Sequence, residues 1–269
     1  MRLTGAWQKD LDIILGQIHV ACGNIASQLK QLPRGLTKQV AIQLYNDVSA
    51  VAGALINLTK QEPASSQVAC VMLRTLLEGG ISVFAFCKDP EQRGKLYWNY
   101  LAVLDWKHVC LHEKNFGCPL ISGDQAHAKN VAERKKSAKG HLRNLGEVFI
   151  IPKKGQRNKQ RLLEALAPGN ELRKWFRDRW FPETRREVLN QERMGWVYDV
   201  VYTRLCSSVH SDSAASKVFA GIERGHILMV GLEFWGAAIY KLVETFRFNL
   251  SADHKGTLRY LYTSLQWAS

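Results

Sequence analysis

Apolar residues recur every three or four positions along most of this chain. The pattern runs from Leu11 to Ile25 and again from Val40 to Leu58. This spacing places the apolar side chains on one face of an α-helix. Pro33 and Gly35 interrupt the pattern between the two segments, where a turn is expected. The sequence therefore predicts two antiparallel helices near the N-terminus.

Similar patterns and start signals predict helices along the rest of the chain. Asp89-Pro90 is typical of a helix start, with Asp as the cap and Pro in the first turn. The further predicted helices span about 63–87, 90–114, 126–145, 226–249 and 255–266. No convincing alternating strand pattern occurs, so we predict an all-α fold, a helical bundle.

The basic residues are concentrated in one segment. The formal net charge of the chain is +13. Residues 129–193 contain eighteen Lys and Arg against eight Asp and Glu, so they carry +10 of that charge. We interpret residues 1–269 as one all-α domain. In it, a basic insert (124–193) separates N-terminal helices (1–123) from C-terminal helices (194–269).

Such a local basic field favours a polyanionic partner, most simply RNA. The alternative is a solvated insert without a specific partner. Four aromatic residues in the insert could stack on bases, although a small subdomain core is the favoured interpretation: Trp175, Phe176, Trp180 and Phe181. The candidate phosphate contacts are Lys135, Lys136, Lys139, Arg143, Lys153, Lys154, Arg157, Lys159 and Arg161.

Several classes of protein lack support in the sequence. Walker, GxGxxG, GxSxG, CxxC and zinc-finger patterns are absent, so we predict no cofactor and no metal. His108 and His112 have a metal-compatible spacing, but a third ligand is not evident and groove histidines are favoured. Scattered cysteines without disulfide spacing favour reduced thiols and a cytoplasmic location. The apolar stretch 227–240 is too short to span a bilayer, so we read it as a core helix and expect no membrane partner.

The residues best suited to chemistry lie between Tyr202 and Asp212. Arg204 can hold a phosphate, and His210 can transfer a proton near neutral pH. In an ideal helix their side chains point about 120° apart. We therefore expect an irregularity near Ser207-Ser208, or a second subunit that completes the site. Supporting polar residues are Ser207, Ser211 and Asp212. The alternative is that His210 caps a helix and Arg204 pairs with an acid.

Arg74 and Glu78 form a second candidate pair. They are four residues apart and hence neighbours on one helix face. Apolar residues surround them in the sequence, which predicts a buried pair. A structural ion pair between helices is the favoured interpretation. A positioning role for Glu78 toward His210 or Arg204 is the alternative.

These two segments resemble families of helical proteins. Arg74-Thr75-Leu76-Leu77-Glu78, followed by Asp89-Pro90 and Tyr97, is similar to the R-x-L-L-E helix of a bacterial family of uncharacterised all-helical proteins. That family has a later L-S-x-x-V-H segment, matched here by residues 205–210 with Cys206 in place of Ser. The arginine and histidine of 204–210 also resemble the R-x(4–6)-H signature of the HEPN ribonucleases. Leu205 departs from the polar residue that often follows the arginine there.

The HEPN resemblance implies metal-independent RNA cleavage in bacterial defence or as a toxin. Arg204 and His210 would be the catalytic residues. The ribose 2′-hydroxyl would attack the adjacent phosphate, with His210 as general acid or base. HEPN-type sites are often built at a homodimer interface. The rival hypotheses are a non-catalytic helical module that binds nucleic acid or protein, and a basic insert that docks on an acidic protein such as an antitoxin.

Overall fold

The computed structural model describes residues 5–60, 66–114, 125–151, 157–168, 175–209 and 224–266. Within these ranges the chain forms ten α-helices and one π-helical turn, and the only extended pairing is an isolated bridge between Ile150 and Phe176. The predicted all-α helical bundle is confirmed.

The helices follow the predicted boundaries closely. They are α1 (Gly5–Gln31), α2 (Leu36–Lys60), α3 (Ser66–Cys87), α4 (Pro90–Lys114), α5 (Gln125–Leu145), α6 (Asn158–Ala165), α7 (Arg185–Gln191), the π-helical turn (Val197–Tyr202), α8 (Thr203–Val209), α9 (Arg224–Phe246) and α10 (Ala252–Ser264).

Side-chain caps explain why several helices begin where they do. Asp89 accepts a hydrogen bond from the Gln92 backbone N–H at the start of α4, as the sequence predicts. Thr184 and Glu187 form a reciprocal capping box at the start of α7. Each such bond satisfies a backbone donor that the helix itself leaves unpaired.

The described residues divide into two compact units. The first comprises 1–94 and 183–269, and the second comprises 95–182. The boundary falls inside α4, after Gly94. The predicted insert of 124–193 overlaps the second unit, which also includes most of α4. Residues 183–193 of that segment belong to the first unit. The organisation as a single domain with an insert at 124–193 stays a prediction.

The core of the first unit is built around α3 and α9. Helix α3 packs against α2 and α9, while α9 also packs against α2 and α10. Gly80 of α3 lies directly against the Phe234 ring of α9, and Gly236 of α9 lies against Leu261 of α10. A Cβ at Gly236 would come within 2.8 Å of the Leu261 Cβ. These contacts require glycine because the helices approach too closely for a larger side chain.

Two helices of this core are long and apolar enough to cross a membrane by length and composition alone. They cover Gln67–Cys87 in α3 and His226–Phe246 in α9. The second segment is longer than the apolar stretch 227–240 predicted from the sequence, so the expectation that it is too short to span a bilayer was wrong. More than half of each apolar segment is buried inside the protein. The two helices also pack against each other in this core.

The second unit places its aromatic side chains in the interior. Phe176, Trp180 and Phe181 are buried, and Trp180 contacts Phe181 edge to face. The Ile151 N–H donates to the Trp175 carbonyl and the Arg177 N–H to the Phe149 carbonyl, so this segment is fixed beside residues 149–151. The interpretation of these aromatics as a small core therefore holds for the three buried ones.

Candidate nucleic-acid interface

Tyr202 ends the π-helical turn that precedes the predicted catalytic segment. Its ring stacks on that of Tyr198, with centroids 5.1 Å apart and planes 17° apart. The Thr203 hydroxyl donates to the backbone carbonyls of Tyr198 and Asp199. A π-helical turn is rare and widens the helix locally, often at functional sites. Here it brings the Tyr202 side chain against α3.

Glu78 accepts hydrogen bonds from Tyr202 and Arg74 and forms an ion pair with Arg185. Its Oε1 accepts a hydrogen bond from the Tyr202 hydroxyl at 2.7 Å. The same oxygen lies 3.4 Å from Arg74 Nε and 3.9 Å from Arg185 Nη2. Both guanidinium groups also lie over the Tyr202 ring, at 5.9 and 5.8 Å from its centroid. We call Arg74, Glu78, Arg185 and Tyr202 the Tyr202 cluster.

The Tyr202 cluster carries one excess positive charge. Two guanidinium groups share a single carboxylate, and the tyrosine remains neutral at physiological pH. Burial, followed by the hydrogen bond to Glu78, raises the pKa of Tyr202 well above its usual range. The cluster can therefore attract an anion while its own geometry is held by Glu78.

The Arg74–Glu78 pair is less buried than the sequence predicts. The side chains of Arg74, Glu78 and Arg185 are 24%, 34% and 31% exposed. The prediction was wrong because one face of α3 is open, with Val68 and Val71 both exposed. The pair joins α3 to α7 and to the π-helical turn, in agreement with the interpretation as an inter-helix ion pair.

Arg204 is exposed on α8. Tyr202, at the end of the π-helical turn, and Leu205 of α8 are buried, whereas Arg204 between them is exposed to solvent. Among the residues that the structure describes, Glu78 binds Arg74, Tyr202 and Arg185, and no contact joins it to Arg204. Within the described residues, Arg204 is therefore not a member of the Tyr202 cluster.

The other residues of the catalytic hypothesis cannot be placed. Ser207 lies in α8, but its side chain is outside what the structure describes. His210, Ser211 and Asp212 lie outside the described residues altogether. Helix α8 is regular through Ser207-Ser208, so the helical irregularity occurs one turn earlier than the sequence suggests. The convergence of Arg204 and His210 stays a prediction.

Helix α5 presents a line of cations on one side. Lys129, Lys136, Lys139 and Arg143 follow the helical repeat and fall within a sector of about 80°. The line is about 21 Å long, at 1.5 Å per residue. Lys139 is half-buried and the other three are exposed. No described carboxylate forms an ion pair with any of them. We call these four residues the α5 basic stripe.

Two other cations of α5 are engaged inside the second unit. Lys135 pairs with Glu113 and lies over the Trp106 ring, and Arg134 pairs with Asp105. The sequence predicts that Lys135 contacts nucleic acid, but in the structure it forms an ion pair with Glu113 of α4. The sequence could not show this because the division depends on which face of α5 meets α4.

The remaining predicted phosphate contacts have different surroundings. Arg157 and Lys159 are exposed at the start of α6, whereas Arg161 is buried. Lys153 and Lys154 lie outside the described residues. In the described ranges no group of three His, Cys, Asp or Glu is arranged to hold a metal ion.

Sequence reasoning missed Arg185 and the role of Tyr202. Two signals point to them in hindsight. Thr184 and Glu187 form a capping-box pattern that fixes Arg185 at the first position of α7. Tyr198 and Tyr202 are four residues apart, a spacing that brings two rings together on one helix face.

A family model matches residues 38–227 of this chain, described as a family of unknown function, DUF5677. The search of curated proteins and the search of solved structures returned no match. The matched residues include Arg74, Glu78, Arg185, Tyr202 and Arg204. The match covers well over half of the sequence, so the chain belongs to this family of unknown function, DUF5677.

Proposed function

We propose that this protein binds RNA through the second unit, with the α5 basic stripe as its main contact. The observation that supports this proposal is that the cations of α5 fall into two groups, one paired with carboxylates and one not. Arg134 and Lys135 neutralise carboxylates of α4, while Lys129, Lys136, Lys139 and Arg143 keep their charge available at the surface. A line of surface cations that form no described ion pair can contact several phosphates along a nucleic-acid strand.

Two variants with the same charge change test this proposal. Lys136→Gln with Arg143→Gln removes two charges from the stripe, and Arg134→Gln with Lys135→Gln removes two from the paired side. We expect the stripe variant to weaken binding of a labelled single-stranded RNA. The slope of log affinity against log salt should fall by roughly 1.4, at about 0.7 for each lost phosphate contact. Fluorescence anisotropy at several salt concentrations measures both quantities.

The paired-side variant should bind RNA with nearly the wild-type slope. Equal weakening by the two variants would show that only net charge matters and would contradict a specific stripe. Tight binding to an acidic protein with no binding to RNA would favour the protein-docking alternative.

RNA cleavage at Arg204 and His210 is our second candidate function. The exposed position of Arg204 on α8, six residues before His210, supports it. Arg204 would stabilise the developing charge on the phosphate, and His210 would transfer the proton of the attacking 2′-hydroxyl. The products would be a 2′,3′-cyclic phosphate and a free 5′-hydroxyl. A HEPN-type nuclease in cytoplasmic defence or as a toxin, assembled as a homodimer, follows from the resemblance alone.

Cleavage is tested with end-labelled RNA in the presence of EDTA. We expect cleavage to persist without divalent metal and to be lost in Arg204→Ala and His210→Ala, with RNA binding retained. A substrate with a 2′-deoxyribose at the cleaved position should be resistant. Binding without cleavage by the wild-type protein would favour the non-catalytic module.

A further inference from the structure

Arg161 is a buried cation without a counterion in the described part of the protein. Only 1% of the residue is exposed, and it is among the largest fully buried side chains. Its Nε and Nη1 atoms are both buried and have no hydrogen-bond acceptor. Ion pairs within the second unit, such as those of Lys107, Arg134 and Lys135, use other cations. A buried guanidinium in this state is costly, because the group has lost water and gained no anion.

Two further features near Arg161 favour binding of an anion: the N-terminus of α6 and two neighbouring cations. Arg161 lies in the first turn or so of α6, a helix with no acidic residue in its first turn and no side-chain cap on its N-terminus. Arg157 and Lys159 add two more cations at this helix end. The partial positive charge of a helix N-terminus repels cations, so this arrangement is unfavourable in the absence of an anion.

The geometry supports a fixed receptor for such an anion. The Arg161 guanidinium lies 5.3 Å from the centroid of the Trp175 ring. Trp175 is itself held by the hydrogen bond from the Ile151 N–H to its carbonyl. Side chains on a helix lean toward its N-terminus, so the Arg161 side chain leans toward the end of α6 where backbone N–H groups lack partners.

We propose that the second unit holds one phosphate group at the N-terminal end of α6, with Arg161 as the buried receptor. The unpaired Nε and Nη1 groups of the guanidinium can donate to an oxyanion, and the N–H groups at the start of α6 offer further donors. Arg157 and Lys159 draw the anion in from solvent. This site is separate from the α5 basic stripe and does not depend on it.

Inorganic phosphate is the first probe, compared with chloride at matched ionic strength. We expect saturating phosphate to raise the melting temperature of the wild-type protein by about 5 °C. Arg161→Met should show no phosphate-dependent rise. Without phosphate it should melt at or above the wild-type temperature, because the uncompensated buried charge is gone. Equal rises in both proteins, or no rise in the wild type, would overturn the proposal.

Surface variants keep the test informative if Arg161→Met does not fold. Arg157→Ser and Lys159→Ser are exposed changes that should each weaken phosphate binding several-fold in calorimetric titration. The matched control is Gln160→Ser, an exposed residue of the same turn without charge. Equal phosphate affinity in all three variants and the wild type would contradict the site.

The source of the phosphate is distinguished by its carrier. Free phosphate and a short RNA with a 5′-phosphate are titrated in parallel, with the 5′-hydroxyl RNA as reference. Binding of phosphate alone assigns a small-molecule site, whereas an Arg161-dependent preference for the 5′-phosphorylated RNA assigns a strand-end site. Loss of RNA binding in the stripe variant with phosphate binding intact would support a phosphate site that is independent of the stripe, whereas loss of both would contradict that independence.

Discussion

Glu78 shows how one residue can organise a site that its sequence context does not reveal. A single carboxylate oxygen serves Tyr202 and two arginines that come from three different helical segments. The i, i+4 spacing made Arg74 a predictable partner. Arg185 and Tyr202 come from more than a hundred residues away, and no local pattern links them to Glu78.

The different surroundings of Glu78 and Arg204 predict different costs of substitution. Glu78→Ala leaves the Tyr202 hydroxyl without its acceptor and two guanidinium groups without their carboxylate. We expect it to lower the free energy of unfolding by about 1–3 kcal/mol. Arg204→Ala removes an exposed side chain and should change it by less than about 0.5 kcal/mol. Urea denaturation followed by circular dichroism measures both, and the opposite order would contradict the cluster as a structural hub.

At the scale of elements, helix boundaries were more predictable than helix contacts. Caps and breaks such as Asp89 and Pro33 act on neighbouring residues, so the sequence displays them directly. The π-helical turn was not predicted, since the apolar pattern of 196–205 is equally compatible with a regular helix. The use of glycine at helix crossings also becomes visible only when the partner helix is in place.

Gly236 tests the closeness of the α9–α10 contact. Gly236→Ala would place a methyl group against Leu261 and force the two helices apart, so we expect a loss of about 1–3 kcal/mol of stability. Gly23→Ala in α1 is the matched control because a Cβ there meets no atom within 4 Å. That change should stabilise the protein by about 0.5–1 kcal/mol, since alanine favours the helix more than glycine does. Thermal unfolding separates the two outcomes.

At the scale of the whole molecule, cations that are close together in the sequence lie in different environments in the structure. Net positive charge is concentrated in 129–193, yet the structure divides those cations among ion pairs, a surface stripe and one buried site. Ion pairs elsewhere in the protein also contribute to stability. Glu183 forms two of them, because Arg93 Nη2 lies 2.6 Å and Lys88 Nζ 3.3 Å from its Oε1, which ties residues at the α3–α4 junction to the start of α7.

This interaction predicts how stability depends on pH. Burial alone would raise the pKa of Glu183, but its backbone hydrogen bond and the bonds from Arg93 and Lys88 outweigh that effect and lower it. A lowered folded-state pKa adds stability that is complete above the unfolded pKa of about 4.3 and is lost as the pH falls through the folded value. Glu183→Gln should therefore cost about 1–3 kcal/mol at pH 7, and the difference from wild type should shrink below about pH 4.

Urea denaturation at several pH values checks this expectation. Glu244→Gln is the control, because Glu244 is 45% exposed and its pair with Lys255 is a surface ion pair. It should change stability by less than about 0.5 kcal/mol. A Glu183→Gln difference that is the same at pH 3 and pH 7 would rule out a charge-dependent contribution.

The amino-acid sequence by itself determined the helical class, most helix boundaries, the basic character of 129–193 and the Arg74–Glu78 pair. All of these depend on interactions between residues close together in the chain, such as helical periodicity, capping and local charge. The tertiary structure alone decided that Glu78 would contact Tyr202 and Arg185, that Lys135 would form an ion pair with Glu113, and that Arg161 would be buried. Those outcomes depend on which helix faces meet, because partners distant in sequence determine whether a charge is neutralised, exposed or enclosed.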